Sequence, residues 1–457
     1  MDALFLARLQ FAVTTIYHFF FVPLSIGLVI LIALMQTLCV RSGDEMWKKH
    51  TQFWGKLFLI NFALGIVTGI VQEFQFGMNW SEYSRFVGDI FGAPLAIEAL
   101  LTFFLESVFL GVWFFGWERL PKRVHLASIW LVAAGSILSA FWILIANSFM
   151  QEPVGYTLRN GRAEMTDFLA LVTNPNIASQ FPHVVFASMT TGAFFVLGIS
   201  AWHLLRRSNL DFFRRSFQMA TVYAVIAVSG VILVGHSQAQ HMVQSQPMKM
   251  AAAEALYQTE SPASFSILTI GDLTQRREVF AIRLPTLLSL LAFNQFSGEV
   301  KGINDLQAEY RNQFASKYGA TADYIPPVAF VYWSFRAMVG AGFLMAFLAL
   351  VGLYLVLRDR FATQTLFLRV LPWAILLPYL ASTTGWMMTE LGRQPWLVFG
   401  LMRTDEGVSP VVSGATILLS LALFTLIYGG LMIVGVYLMM KSAESNPLTE
   451  AAHVAAY

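Results

Sequence analysis

Nine long apolar segments, separated by polar segments, dominate the hydrophobicity pattern of the chain. As a helix, each is long enough to cross a hydrocarbon core about 30 Å thick, which takes roughly 20 residues. None alternates as a barrel strand does, and a helix satisfies every backbone polar group within a membrane. The pattern therefore predicts an all-α integral membrane protein, a bundle of nine transmembrane helices. The predicted spans are 11–40, 55–78, 93–118, 126–150, 182–206, 217–238, 328–357, 366–391 and 412–440.

The spans divide the chain into three regions. Six helices fall in 1–238, a polar segment of about ninety residues occupies 239–327, and three helices with a short tail form 328–457. Lys and Arg indicate the orientation because they concentrate in cytoplasmic loops. An external N-terminus places thirteen of them in inner segments and six in short outer segments. We therefore expect an external N-terminus, an external long loop and a cytoplasmic C-terminus.

Composition excludes several classes of function. Hydrophobic residues make up 57% of the chain and charged residues 12%, about half of the roughly 25% charged fraction of soluble domains. The net charge of +2 and the dispersed Lys and Arg residues provide no surface for nucleic acid. Because Cys39 is the only cysteine, a bound metal would need His, Met or carboxylate ligands.

Ionisable side chains within the spans are functional candidates because charge is costly in a membrane. Four potential iron ligands fall in the outer half of the predicted membrane: His18, His183, Met338 and Glu390. His and Met are axial ligands of electron-transfer haems, and a single protein ligand suits a haem that meets oxygen. The alternative is structural, since membrane histidines often bond to neighbouring helices and methionines usually pack. No metal role is predicted for the other histidines, which are His50, His125, His203, His236, His241 and His453.

Two acidic residues of the third span suggest proton transfer. Glu98 and Glu106 are eight residues apart, which is roughly 12 Å of helical rise and a rotation of about 80°. Stepped carboxylates of this kind suit a relay, and the hydroxyls of Ser107 and Ser139 would extend it. Arg336 lies two residues before Met338, so a buried anion such as a haem propionate is its expected partner.

Other membrane functions fit these residues less well. The copper-binding histidines of a haem–copper oxidase and the paired histidines of a bis-histidine cytochrome b are not found in the sequence. A secondary transporter is the remaining alternative, with Glu98, Glu106 and Arg336 binding substrate and protons at mid-membrane. That hypothesis leaves the outer clustering of the four potential iron ligands unexplained.

Four separated motifs resemble subunit I of the cytochrome bd quinol oxidases. They are His18, KMAAAEA at 249–255, YWSFRAM at 332–338, and GRQPW at 392–396 after Glu390. The resemblance extends to about residue 440. It implies an electrogenic quinol:oxygen oxidoreductase that oxidises quinol at the outer face and reduces O2 to water with cytoplasmic protons. Proton motive force would arise without pumping.

The resemblance also implies cofactors and partners. The cofactors would be a low-spin haem b, a high-spin haem b and the chlorin haem d, without copper. The substrate would be ubiquinol or menaquinol, bound near the outer loop, which is called the Q-loop and is here of the short type. A homologous subunit II would form a heterodimer with this chain in a bacterial or archaeal cytoplasmic membrane, together with a small single-helix subunit.

By resemblance, His183 and Met338 would bind the iron of the low-spin haem b. His18 and Glu390 would each bind one of the other two irons, and the position of haem d stays open between them. Glu98 would lie beside this haem pair as a candidate iron ligand, and Glu106 would lie on the proton route. Arg336 and Arg393 would stabilise haem charge, and Trp386 would lie between the haem sites. Lys249 and Glu254 would take part in quinol oxidation.

Overall fold

The computed structural model describes residues 2–272 and 274–448, so His453 and the end of the predicted tail lie outside the described residues. In chain order, the helices are α1 Ala3–Phe19, α2 Val22–Ser42, α3 Glu45–Met78, α4 Ser81–Ile97, α5 Phe104–Phe115, α6 Lys122–Gln151, α7 Phe168–Val172, α8 Ile177–Leu205, α9 Leu210–Ser245, α10 Pro247–Ala253, α11 Leu287–Phe293, α12 Ile303–Tyr318, α13 Val328–Leu357, α14 Thr365–Ala374, α15 Leu376–Gly392 and α16 Gly414–Glu444. A π-helical turn, Glu98–Phe103, joins α4 to α5, and a 3-10 turn, Phe361–Thr363, precedes α14.

Three antiparallel hairpins lie between the helices. They pair β1 Tyr156–Arg159 with β2 Arg162–Met165, β3 Phe265–Asp272 with β4 Arg277–Leu284, and β5 Trp396–Val398 with β6 Met402–Arg403. The rest of the described architecture is helical, and nine helical segments within it are long and apolar enough to span a membrane. The predicted number of spans is therefore confirmed for the part of the chain that the structure describes.

Several spans begin, end or break at positions that the hydrophobicity pattern did not predict. The first span starts at Ala3 and breaks between α1 and α2, where Pro23 of α2 has no N–H to donate. His18 therefore lies in the last turn of α1, and the expectation that it lies near the outer helix end is wrong. The sixth span, α9, continues to Ser245, so the long loop begins at 246 rather than 239.

The two ends of the bundle differ in chemistry. We call the end that carries residues 246–327 the loop face; α1 begins there and α3 ends there. We call the opposite end the basic face; it carries the segments 43–44, 116–121, 206–209 and 358–364. Ion pairs join its segments, namely Lys48 with Glu118, Arg215 with Asp44, and Arg214 with Asp359. The N-terminal helix thus starts at the loop face and α16 ends at the basic face, while the external position of the loop face stays a prediction.

The loop-face segment is folded against the helices. Its first element is the short helix α10, Pro247–Ala253. It packs on α12, α13 and α15, and most of its side chains are buried. The β3–β4 hairpin and α12 were not predicted. This packing places α10 directly above the ends of two spanning helices.

The bundle core is tightest where α2 crosses α8. A Cβ atom added at Gly192 would lie 2.6 Å from the carbonyl carbon of Gly27, so only glycine permits this approach. The Tyr223 hydroxyl of α9 donates to the Gly27 carbonyl at 2.9 Å. The largest apolar cluster surrounds this crossing, with buried Trp54, Phe58 and Phe194.

Gly192→Val is expected to destabilise the protein by about 1–3 kcal/mol, because the added methyl groups must push α2 and α8 apart. The measurement is the thermal inactivation midpoint of the purified complex. The control is Gly342→Val in α13, where an added Cβ meets no atom within 4 Å among the described residues. Equal midpoints for the two variants would contradict the close crossing.

Candidate functional site

His18 is oriented by a threonine on the neighbouring helix. Its Nδ1 lies 2.9 Å from Thr68 Oγ1. The Thr68 hydroxyl is within donating distance of two backbone carbonyls of α3, so its oxygen accepts from Nδ1–H of the histidine. A Cβ at Gly69 would lie 3.0 Å from the imidazole, and the glycine thus leaves room for the ring. The Nε2 lone pair stays available for a metal, as the usual orientation of ligating histidines requires.

His183 and Met338 belong to one ring of four helices. Helix α8 packs on α9, α9 on α13, α13 on α15, and α15 on α8. His183 in α8 faces α9, where a Cβ at Gly235 would lie 3.0 Å from its ring. Met338 in α13 faces α15, where a Cβ at Gly385 would lie 2.8 Å from its sulfur. The two side chains therefore lie on opposite helices of the ring, each beside a glycine.

Three of the candidate ligands lie at a similar depth. Met338 is ten residues from the loop-face end of α13, and Thr68 and Gly235, which contact the two histidines, are ten residues from the ends of α3 and α9. Ten helical residues rise about 15 Å. His18, His183 and Met338 remain half-buried although helices surround them, so accessible space borders all three side chains within the bundle.

These residues fit a haem. His183 Nδ1 is buried without a well-aligned hydrogen-bond partner among the described residues. A thioether and two imidazoles next to accessible space form a donor set typical of haem iron. Of the residues that the structure describes, no three His, Cys, Asp or Glu side chains converge as a metal-ion site.

Glu390 lies near the loop-face end of α15 and is held by three donors. Asn147 Nδ2 donates to its Oε1 at 3.0 Å and Gln151 Nε2 at 3.3 Å. Arg393, whose side chain is only 2% exposed, forms an ion pair with Oε2. Such hydrogen bonds are typical of carboxylates that ligate a metal. Asn147 and Gln151 were not predicted, although two amide side chains at positions i and i+4 near the end of a span are a signal visible in the sequence.

Trp386 adjoins the helix that carries His18. Its ring centroid lies 5.3 Å from that of Phe19, the neighbour of His18, and it follows Gly385, which faces Met338. The position of this ring between the haem sites stays a prediction.

The acidic pair of the third span faces α6. Ser139 Oγ lies 2.5 Å from a Glu98 carboxylate oxygen, and Ser136 donates to the Glu106 carboxylate. The π-helical turn reduces the rotation between the two acids, so both reach one helix. Ser107 instead donates to a backbone carbonyl one turn earlier. Of the two serines expected to extend the relay, Ser139 contacts Glu98 and Ser107 contacts neither acid. Ser136 was not predicted.

Lys249 connects the loop-face segment to the Glu390 group. Its alkyl chain crosses Gly392, where a Cβ would lie 2.6 Å from Lys249 Cγ, and its Nζ donates to Gln151 Oε1 at 2.5 Å. The pKa of Lys249 is lowered to about 7. Burial is the largest cause, the charge of Arg393 acts in the same direction, and the charge of Glu390 opposes the shift. Lys249 can therefore exchange a proton near neutral pH.

Glu254 has a different partner. Arg336 donates to its two carboxylate oxygens at 3.2 and 2.7 Å, and the Ser266 backbone N–H donates at 3.1 Å. Burial raises the pKa of Glu254, although the Arg336 guanidinium opposes that rise. Lys249 and Glu254 thus belong to separate groups, because five helical residues place them on different faces of α10.

Arg336 therefore has a carboxylate as its described partner, where a haem propionate was expected; its Nε has no partner among the described residues. The pairing also separates Arg336 from Glu98 and Glu106, whose described side-chain partners are α6 serines. The three residues do not form the mid-membrane binding site of the transporter alternative.

A small cavity beside Lys249 is rich in hydrogen-bond donors. Tyr310, Tyr324, Arg393 and Trp396 line it. Arg393 Nη1 and Trp396 Nε1 are buried there without a hydrogen-bond partner among the described residues. Donors of this kind favour an anionic group.

Five other histidines contact protein groups instead of accessible space within the site. Their hydrogen-bond partners are carbonyls or polar side chains, which are Phe212 for His50, Trp113 for His125, Ala443 for His203, Asn294 for His236 and Glu152 for His241. The absence of a metal role for these five histidines stays a prediction.

Comparisons with known proteins cover nearly the whole chain. Residues 6–447 match the family model described as cytochrome bd terminal oxidase subunit I. The chain is 53% identical to cytochrome bd ubiquinol oxidase subunit 1 of Bacillus subtilis (strain 168), over 96% of this chain and 92% of that protein. It is 41% identical to cytochrome bd-II ubiquinol oxidase subunit 1 of Escherichia coli (strain K12), over 98% and 97%. The structure of bd oxidase from Geobacillus thermodenitrificans matches with a TM-score of 0.86 and 28% identity, over 96% and 98%.

Lys249→Met is expected to change how stability depends on pH. The pKa of Lys249 is about 7 in the folded protein and has an ordinary value of 10.5, so the unfolded chain binds more protons between these values. Stability from this group therefore rises as pH increases above about 7. Between pH 7 and pH 9, the thermal inactivation midpoint of the wild type should rise relative to that of Lys249→Met. The control is Lys301→Met, which removes an exposed lysine. If the midpoints of the wild type and Lys249→Met change in parallel with pH, the lowered pKa of Lys249 is refuted.

Proposed function

This chain belongs to the cytochrome bd terminal oxidase subunit I family, and from that premise we propose how its residues serve quinol oxidation and oxygen reduction. It is a subunit of a haem-containing quinol:oxygen oxidoreductase of bacterial respiratory membranes. Subunit I works with a subunit II. The assignments below concern individual residues, haem types and the direction of proton movement.

We assign the low-spin haem b to His183 and Met338. The observation that carries this assignment is their position on opposite helices of one four-helix ring, each next to a glycine. The accessible space beside both side chains supports it. Histidine and methionine together suit a haem that only transfers electrons, because both axial positions are then filled by protein. When bound, the haems supply the electron carriers between quinol and oxygen.

We assign His18 and Glu390 to the high-spin haem b and haem d, one residue to each haem. His18 presents an unprotonated Nε2, and Glu390 presents a carboxylate fixed by Asn147, Gln151 and Arg393. Trp386, whose ring contacts Phe19, is assigned to the space between the two haems. The unpartnered Nη1 of Arg393 suits a haem carboxylate.

Quinol oxidation is assigned to the loop face, which we propose is external. Glu254 and Lys249 are both buried there. Burial raises the pKa of Glu254, which favours proton uptake by that carboxylate, and the lowered pKa of Lys249 permits exchange near pH 7. Lys249 lies on α10 and Glu254 directly follows that helix, which packs on the α13 and α15 helices that carry Met338 and Glu390. A proton released by quinol would thus reach the water outside the loop face.

Protons for oxygen reduction are assigned to Glu106 and Glu98, and Ser136 and Ser139 orient these carboxylates. Glu106 is nine residues from the end of α5 at the basic face, roughly 14 Å of helical rise. Proton uptake from the basic face and proton release at the loop face would together separate charge across the membrane without a pump. Each charge moved stores about 2.3 kcal/mol per 100 mV. Glu98 lies closer to the haem pair as a further candidate ligand.

Met338→Leu is expected to abolish the low-spin haem b spectrum and retain the other haem bands, because the thioether is lost with little change in volume. The measurement is a reduced-minus-oxidised absorbance spectrum of the purified complex. Met345→Leu is the control, because the same change is made in the core-facing part of the same helix. A low-spin band of wild-type intensity in Met338→Leu would show that the sulfur only packs.

Glu106→Gln is expected to slow oxygen consumption by at least about tenfold while haem content is kept, because the amide cannot relay a proton at neutral pH. Turnover with quinol is measured by an oxygen electrode. Glu118→Gln, at the exposed ion pair with Lys48, should retain wild-type turnover. Unchanged oxygen consumption in Glu106→Gln would exclude the relay.

A further inference from the structure

The β3–β4 hairpin of the loop-face segment has an apolar surface that no other described residue covers. Its large apolar side chains are between 43% and 64% exposed, and they are Ile267, Ile270, Val279, Phe280, Ile282 and Leu284. Cross-strand pairing places Ile270 opposite Phe280 and Leu268 opposite Ile282, so these pairs share one face of the hairpin. An apolar patch of this extent on a folded protein marks a contact with another apolar phase.

The opposite face of the hairpin is polar and fully occupied. Ser266 and Thr269 are buried there, and the Tyr332 hydroxyl lies 2.8 Å from both Ser266 Oγ and the Thr269 backbone nitrogen. The Ser266 carbonyl accepts from Arg336 at 2.6 Å, and its N–H donates to Glu254. These contacts fix the orientation of the hairpin, so its apolar face points away from the protein.

The hairpin lies at the level of the membrane surface. Tyr332 and Arg336 are the fifth and ninth residues of α13, a helix about 45 Å long. A hydrocarbon core of about 30 Å leaves the first turns of such a helix in the headgroup region. Phe330 and Trp333 are 63% and 53% exposed in those turns, and aromatic side chains are typical of that interface.

The hairpin is held on a helix that has an exposed apolar side. Exposed side chains follow α13 from Trp333 through Phe343 and Phe347 to Leu350. Tyr332 bonds to the hairpin, and its ring is in contact with that of the next residue, Trp333, at 5.3 Å between centroids. The hairpin is thus anchored one residue away from the exposed apolar side of α13.

We propose that the apolar face of the β3–β4 hairpin lies in the lipid leaflet beside α13, in contact with phospholipid acyl chains. An element with one polar and one apolar face at this depth lies in the plane of the interface. Three turn residues, Thr274, Gln275 and Arg276, are polar, and Arg276 pairs with Asp323 at 2.7 Å, so this side of the turn remains in water. The hairpin is then the lipid-facing wall of the Glu254–Arg336 ion pair.

The test measures the depth of single labels in the complete complex with subunit II. Because Cys39 is the only cysteine, a Cys39→Ser background allows one fluorescent label at Phe280→Cys. The complex is placed in phosphatidylcholine vesicles that carry a nitroxide at acyl carbon 5, and iodide is the water-soluble quencher. Gln275→Cys in the turn of the same hairpin and Gln313→Cys in α12 are the controls.

The label at position 280 is expected to be quenched severalfold more by the lipid nitroxide than the labels at positions 275 and 313, and severalfold less by iodide. Ile270→Cys, its cross-strand partner, should give the same result and covers the case in which Phe280→Cys does not assemble. Strong iodide quenching at both 270 and 280 would overturn the proposal. Protection from both quenchers would also overturn it, because a protein surface would then cover the hairpin.

Discussion

The cost of removing charged and polar side chains from water is the constraint that governs this structure. Charges within a bilayer are tolerated only when they pair or line a polar space. Glu254 therefore meets Arg336, and Glu390 meets Arg393, with amide donors completing the second group. His183 Nδ1 is buried without a well-aligned hydrogen-bond partner among the described residues. This imidazole is one of the groups that we propose bind haem.

The same constraint links the loop-face segment to the interior. Lys249 is a charged residue on a short helix above the bundle, and it donates to Gln151, which also donates to Glu390. Glu254, which directly follows this helix, bonds to Arg336, two residues before Met338. The short helix α10 and the residue after it thus contact Gln151 and Arg336, each of which adjoins a candidate haem ligand. A change in the position or charge of α10 is therefore expected to affect both groups.

Much of the fold was predictable because length and apolarity determine whether a helix spans a membrane. Nine spans were expected, and the described residues contain them, with ends extended by a few residues. The break between α1 and α2 and the π-helical turn at Glu98 were not expected, since both depend on helix packing rather than on periodicity.

The candidate ligands were found because ionisable residues within spans are rare. The hydrogen-bond partners of these residues were mostly not predicted, because tertiary contacts determine them. Arg336 lies near Met338 in sequence but bonds to Glu254, 82 residues away. Glu106 bonds to Ser136 instead of extending to its neighbour Ser107. The hairpin that contacts Glu254 carries too irregular a pattern, with two bulges, for alternation to indicate it.

We propose that this chain binds b-type haems and a chlorin between helices whose donor side chains the structure describes. The measurement that tests this proposal is pigment extraction together with a dithionite-reduced minus oxidised spectrum of the chain assembled with subunit II. We expect b-type bands together with a far-red chlorin band. An assembled complex without haem bands would contradict the proposal.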